Sequence, residues 1–184
     1  GTTGGGAGRP TPAPSIKQYA FLLPKQRLSP AVVMNGRRSE VAIPAFTQEA
    51  TDVAVASAEP PPLPAGPTVE VPLIRIAHGR SGDKGDISNI GLVARRKELL
   101  AVLRQQVTEQ RVKDYLSHFV KGRVTRYDLP GLGALNFVCE QALGGGGMAS
   151  LRNDPLGKGM AQILLALPVQ VPAALLAACG LAAA

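Results

Sequence analysis

Residues 77–91 read AHGRSGDKGDISNIG and crowd His78, Arg80, Ser81, Asp83, Lys84, Asp86 and Asn89 into one short stretch. Arg80 and Lys84 are charge-assisted donors. Gly79, Gly82 and Gly85 fall between the charged residues, where backbone N–H groups can turn inward as an anion nest. A carboxylate or a phosphate suits such a nest. Asp83 and Asp86 could instead hold a divalent cation through oxygen, or pair with Arg80 and Lys84 and simply close a turn. The groups able to move protons here are His78, Asp83, Lys84 and Asp86, and they are the candidate catalytic residues. An imidazole changes charge near neutral pH, so His78 could serve as a general base, or else as a packed or capping residue. The stretch contains neither GxxxxGK[ST] nor a dinucleotide-binding glycine pattern.

Further candidates lie downstream. Asn136 stands within the apolar run Leu135-Asn136-Phe137, where an amide must find hydrogen bonds. It and Asn89 either tie the polar stretch to a sheet or face a ligand. Four consecutive glycines, Gly144 to Gly147, are costly in backbone entropy and suit a close approach to a ligand or another backbone. Gly145 and Gly146 are therefore counted with Arg80, Ser81, Asn89 and Asn136 as candidate ligand contacts. Arg152 and Lys158 complete that set. Lys158 belongs to a Gly-flanked turn that opens the last helix, which is either an anion site or an ordinary cap. His118 reads as a surface residue and Cys139 as a core thiol.

These residues need elements to position them. Leu73–His78 reads as a strand, followed by a polar loop and a second strand over Asn89–Ala94. Residues 98–105 read as a helix. Thr108 can cap another, whose apolar face is Val112, Tyr115, Leu116 and Phe119, with Gly122 at its end. Alternation predicts strands over Arg123–Leu129 and Ala134–Cys139, with a turn at Pro130–Gly133 between them. A short strand at Ser150–Arg152, a helix over Lys158–Leu167 and a strand at Val169–Val171 follow. This order predicts an α+β fold: a ferredoxin-like sandwich of a mixed or antiparallel sheet with two main helices.

The front of the chain differs in composition. Eleven of the sixteen prolines precede Val71. Residues 1–48 read as an extended arm. Within it Ser15–Leu23 is a strand candidate, and Ala31–Met34 with Glu40–Ile43 makes a β-hairpin about Asn35-Gly36. Residues 49–70 read as a Pro-rich linker, 71–172 as the compact domain and 173–184 as an Ala-rich tail. The apolar tract from Ile163 onward is broken by Pro168 and Pro172, so a buried helix end and a strand are expected, not a membrane span.

Composition narrows the function classes. The net charge is +7, but basic residues are scattered, aromatics are only 4% and Trp is absent. That argues against nucleic acid and for a small anion or an acidic partner surface. The two cysteines show no CxxC or metal-ligand spacing, which fits a reducing, cytoplasmic setting, and no motif specifies a cofactor. Gly1–Gly4 is neither basic nor apolar, so no signal peptide is read there.

The string Arg80-Ser81-Gly82-Asp83-Lys84-Gly85-Asp86 with Asn89-Ile90-Gly91 continues into Leu129-Pro130-Gly131, Leu135-Asn136-Phe137, Leu143-Gly144-Gly145-Gly146 and Asp154-Pro155-Leu156-Gly157-Lys158. In this order the motifs resemble the acyclic terpene utilisation AtuA-like family, in particular its C-terminal ferredoxin-fold-like domain, over roughly Val71 to Pro172. Gly8-Arg9-Pro10-Thr11-Pro12 and the run through Phe21 and Lys25 resemble the end of the family's larger N-terminal domain. The resemblance therefore implies a C-terminal part, a separately encoded small subunit or a processed fragment. It implies a setting in acyclic terpene or branched acyl-CoA catabolism, where substrates run as acyl-CoA thioesters. It assigns no catalytic roles, and strengthens Arg80, Asp83, Lys84, Asp86 and Asn89 as site residues. Two function classes remain. One is an enzyme domain, lyase- or hydratase-like, that binds a carboxylate or acyl-CoA-type ligand. The other is a non-catalytic assembly domain that docks on a larger AtuA-like or acyl-CoA-processing subunit, as part of an oligomer.

Overall fold

The structure is a computed structural model that describes Pro14, Tyr19, residues 21–44 and residues 62–181. Two compact units are present: the smaller is Gln18–Val55, and the larger contains residues 62–181.

The smaller unit is a two-stranded antiparallel ribbon, β1 (Ala31–Met34) and β2 (Arg37–Glu40). Asn35 and Gly36 have φ of 51° and 77°, the pair of left-handed residues that a type I′ turn requires. The second strand thus starts at Arg37, immediately after the turn, and not at Glu40. Val32, Val33 and Met34 are exposed, so the ribbon buries little apolar surface of its own. The strand expected over Ser15–Leu23 lies mostly outside the described residues, and its last part, Phe21–Leu23, is not in a strand.

The larger unit is α+β. Its elements are β3 (Thr68–Pro72), β4 (Ala77–Lys84), β5 (Ile87–Ala94), α1 (Leu100–Gln106), α2 (Glu109–Tyr115), β6 (Val124–Leu129), β7 (Ala134–Cys139), α3 (Met160–Leu164), β8 (Pro168–Pro172) and α4 (Ala173–Ala178). Four strands form an antiparallel sheet in the order β4-β5-β7-β6, and β3 pairs antiparallel with β8. The inward residues of the sheet alternate as period two demands: Ser88, Ile90 and Leu92 on β5, and Leu135, Phe137 and Cys139 on β7 are buried. They join Leu99, Leu103, Val112, Leu116, Met160 and Leu164 from the helical side in one core. At about 1.5–3 kcal/mol per fully buried large apolar side chain, this layer is the main source of cohesion.

Local chemistry sets the element ends. Thr108 caps α2, its hydroxyl accepting the Arg111 N–H at 3.2 Å. The helix stops at Tyr115, earlier than Gly122, while Leu116, Phe119 and Val120 continue to pack on the core. Leu73–Arg75 is a 3-10 corner and not a strand, because the Leu73 and Ile74 N–H groups turn to the Leu167 and Leu165 carbonyls. Ser150–Arg152 forms no strand, and the helix expected over Lys158–Leu167 is confined to Met160–Leu164. Residues 173–178, expected as tail, are helical, and Leu175 and Leu176 belong to the core. Among the described residues no helix is long and apolar enough to cross a membrane.

The main difference from the sequence reading concerns residues 78–91. They are not a loop between strands but the strands themselves, paired from Ala77↔Ala94 to Lys84↔Ile87, with Gly85-Asp86 as the turn. Glycine and charge disguise the alternation. Once the ribbon is drawn, His78 and Arg80 fall on one face and Ala77, Gly79, Ser81 and Asp83 on the other.

Candidate functional site: the outer face of the four-stranded sheet

Within the larger unit the helices cover one face of the sheet, and no other described element of that unit covers the opposite face. Register defines a row across this outer face: Arg80 on β4 lies beside Gly91 on β5, Gly91 beside Asn136 on β7, and Asn136 beside Tyr127 on β6. Gly91 leaves a dip in the middle. A Cβ there would touch only the Arg80 carbonyl, at 3.9 Å. A parallel row places Asn89 beside Gly82 and Val138. The side chains of Arg80, Asn89, Asn136 and Tyr127 make no hydrogen bond or ion pair within the described residues, so their donors and acceptors stand ready for another molecule.

His78 borders the same face. Its Nε2 lies 3.2 Å from Nη1 of Arg95, and Arg95 Nε donates to the Ile74 carbonyl at 2.9 Å. Arginine has only donors, so Nε2 is the acceptor in that contact. Among the described residues of the sheet no Asp or Glu takes an outward position: these are His78, Arg80, Gly82 and Lys84 on β4, Ile87, Asn89, Gly91 and Val93 on β5, Ala134, Asn136 and Val138 on β7, and Thr125, Tyr127 and Leu129 on β6. The field over the Arg80–Arg95 end is therefore positive.

The remaining sequence candidates sit elsewhere. Ser81 points inward and is buried. Its hydroxyl reaches the Gly157 carbonyl at 2.6 Å and the Lys158 carbonyl at 3.2 Å, and accepts the Ala161 N–H at 2.9 Å, so it fastens β4 to the start of α3. Asp83 is half-buried across from Ser88, and exposed Lys84 donates from Nζ to the Asp83 carbonyl at 2.9 Å. Neither Arg80 nor Lys84 is ion-paired with Asp83 or Asp86, so the self-neutralised turn does not form. The Asp86 carboxylate accepts the backbone N–H groups of Leu143 and Gly145 at 3.0 and 2.8 Å, while its own carbonyl accepts from Ala142. It clamps the polyglycine loop to the hairpin tip. Gly146, with φ of 81°, presses on the same tip: a Cβ there would strike the Gly85 carbonyl.

Arg152 donates to the Ala142 and Phe119 carbonyls and lies over the Phe119 ring, 5.6 Å from its centroid. Lys158 is exposed, and its ammonium lies where a Cβ on Gly82 would be 3.0 Å away. Asp154 caps the turn before α3, accepting the N–H groups of Lys158 and Gly159. Burial pushes the Cys139 thiol up from its ordinary 9.0 to about 11, with nearby Lys113 opposing the shift, so this thiol stays protonated and unreactive near neutral pH. No cluster of three or more His, Cys, Asp or Glu among the described residues is arranged to hold a metal ion.

The structure thus gathers His78, Arg80, Asn89 and Asn136 on one face, with the Lys158 ammonium reaching that side beside Gly82, and puts Ser81, Asp83, Asp86, Gly145, Gly146 and Arg152 at the tip and inner side of the hairpin. Sequence reasoning missed Arg95 and Tyr127. Both continue an outward alternation, along β5 and β6 respectively, and that parity was the available signal.

Comparison with known proteins adds one match. No curated protein and no solved structure matches the chain. The sequence model of the AtuA ferredoxin-like domain matches residues 71–170, which is more than half of the chain and includes β4, β5, β6 and β7 complete. The chain belongs to the family of the AtuA ferredoxin-like domain.

Proposed function

We propose that this chain is a small subunit or C-terminal domain of an AtuA-like protein and binds a carboxylate or acyl-CoA-type ligand on its outer sheet face. The setting that the family suggests is acyclic terpene or branched acyl-CoA catabolism. One observation carries the reading: Arg80, Arg95 and His78 stand together on a sheet face to which, among the described residues of the larger unit, no helix and no carboxylate belongs. Arg80 and Arg95 supply charge-assisted donors, and the Asn89 and Asn136 amides and the Tyr127 hydroxyl orient the bound group beside the dip at Gly91. A face this open supplies one wall of a site. The opposite wall comes from the larger AtuA-like domain or a neighbouring subunit.

A specific observation favours a second reading. Val93, Tyr127, Leu129 and Leu132 are 42, 52, 37 and 70% exposed. Apolar side chains bordering the polar row suit a non-catalytic assembly face that docks on a larger AtuA-like or acyl-CoA-processing subunit. Calorimetric titration of the full chain with acetyl-CoA, coenzyme A and succinate separates the two. Saturable binding lost in Arg80→Ala supports the ligand site. No binding of any of the three, with hydrogen-exchange protection of β5 and β7 appearing only when the larger domain is added, supports assembly instead.

A further inference from the structure

On the helix side of the sheet, away from the outer face, a cavity of about 340 Å³ opens between Phe119, Leu143, Met160 and Ile163. Its size is at the small-ligand end of the usual range. Two charged residues, Arg152 and Asp154, complete the rim. Arg152 spends part of its donor fork on the Ala142 and Phe119 carbonyls and has no carboxylate partner among the described residues, so it retains N–H groups for an anion. The Asp154 carboxylate is turned into the backbone N–H groups of Lys158 and Gly159, which fixes its charge at the turn.

We infer that this cavity binds a monoanion with a hydrocarbon tail, a carboxylic acid of medium chain length. The tail lies on Phe119, Leu143, Met160 and Ile163, where burial of apolar surface drives binding. The carboxylate meets the free edge of the Arg152 guanidinium. Asp154 on the same rim limits the ligand to a single negative charge, because a dianion would meet one cation and one opposing carboxylate. This site stands apart from the Arg80 face and does not depend on it.

The test uses the full chain and three probes: octanoate, 1-octanol and octyl phosphate. Calorimetry should show saturable octanoate binding, with 1-octanol at least about tenfold weaker, the loss expected for one charge-assisted hydrogen bond. Octyl phosphate should also bind more weakly than octanoate. Ile163→Trp, which fills the cavity, should abolish octanoate binding there. In the unaltered protein, nuclear Overhauser contacts should connect the octanoate chain to the Met160 methyl and the Phe119 ring, which keeps the test valid if the Trp variant misfolds. Absence of saturable octanoate binding, or of those contacts, overturns the inference. So does equal affinity for 1-octanol, equal or tighter binding of octyl phosphate, or loss of binding in Arg80→Ala with retention in Ile163→Trp.

Discussion

The Asp86 carboxylate holds the Gly145 backbone N–H at 2.8 Å, joining the tip of one hairpin to a loop far along the chain. The same oxygen accepts from Leu143. Removing it leaves two backbone donors without that acceptor, so Asp86→Ala should lower stability by about 2 kcal/mol. Gly146→Ala should cost at least as much, since it adds both a positive-φ side chain and a collision with the Gly85 carbonyl. Urea unfolding of both variants measures the effect. Unchanged midpoints would show that the tip and loop are not coupled in this way.

Ser81 and Ser88 are both buried and both point inward, yet opposite effects are expected. Ser81 has donor and acceptor partners, so Ser81→Ala should cost about 2 kcal/mol. Ser88 is the buried hydroxyl that finds no partner among the described residues, and Ser88→Ala should be neutral or raise stability by about 1 kcal/mol. Thermal denaturation of the pair decides it, and a larger loss for Ser88→Ala than for Ser81→Ala contradicts the assignment.

Much of this contrast was invisible in the sequence, for a definable reason. The helix cap at Thr108, the Asn35-Gly36 turn and the apolar inward set of β7 follow from local rules and were legible. So was the α+β class. Residues 78–91 were not, because their alternation is written in glycine, serine and charge, and a hydrophobic period cannot be seen without hydrophobic residues. Whether Ser81 faces α3 or a ligand depends on Gly157, Lys158 and Ala161, which are remote in the chain. The role of Asp86 likewise depends on Leu143 and Gly145. Residue type predicted chemistry at these positions; tertiary contact uses them as fasteners.

Cys139 predicts a pH dependence. Below pH 9 the thiol is protonated in both folded and unfolded chains, and its contribution is fully present. Above that the unfolded chain releases the proton while burial delays release in the fold until about pH 11. Stability from this group therefore falls across pH 9 to 11, by at most about 1.4 kcal/mol per pH unit. The advantage of the native protein over Cys139→Ala should shrink across that window in urea titrations. A constant difference would refute it. With a disulfide-exchange reagent at pH 8, half-buried Cys179 should react in the native state, and Cys139 only after unfolding.

For the outer face, Arg80→Ala and Asn136→Ala should each weaken binding of the anionic ligand without loss of stability, by about tenfold or more for the arginine. Neither side chain has a partner to lose among the described residues. Raising the salt concentration should weaken binding in parallel, since the face is exposed and screened. Matching losses in melting temperature would move both residues into the structural class.

The β4–β5 ribbon also sets how the chain tolerates length changes. Successive residues from 77 to 84 serve alternate faces, so one inserted or deleted residue ahead of Arg80 exchanges the two sets at a stroke. The guanidinium would then be driven into the core and the Ser81 hydroxyl turned to solvent. Substitutions on this ribbon can act on one face at a time; a single-residue shift in frame cannot.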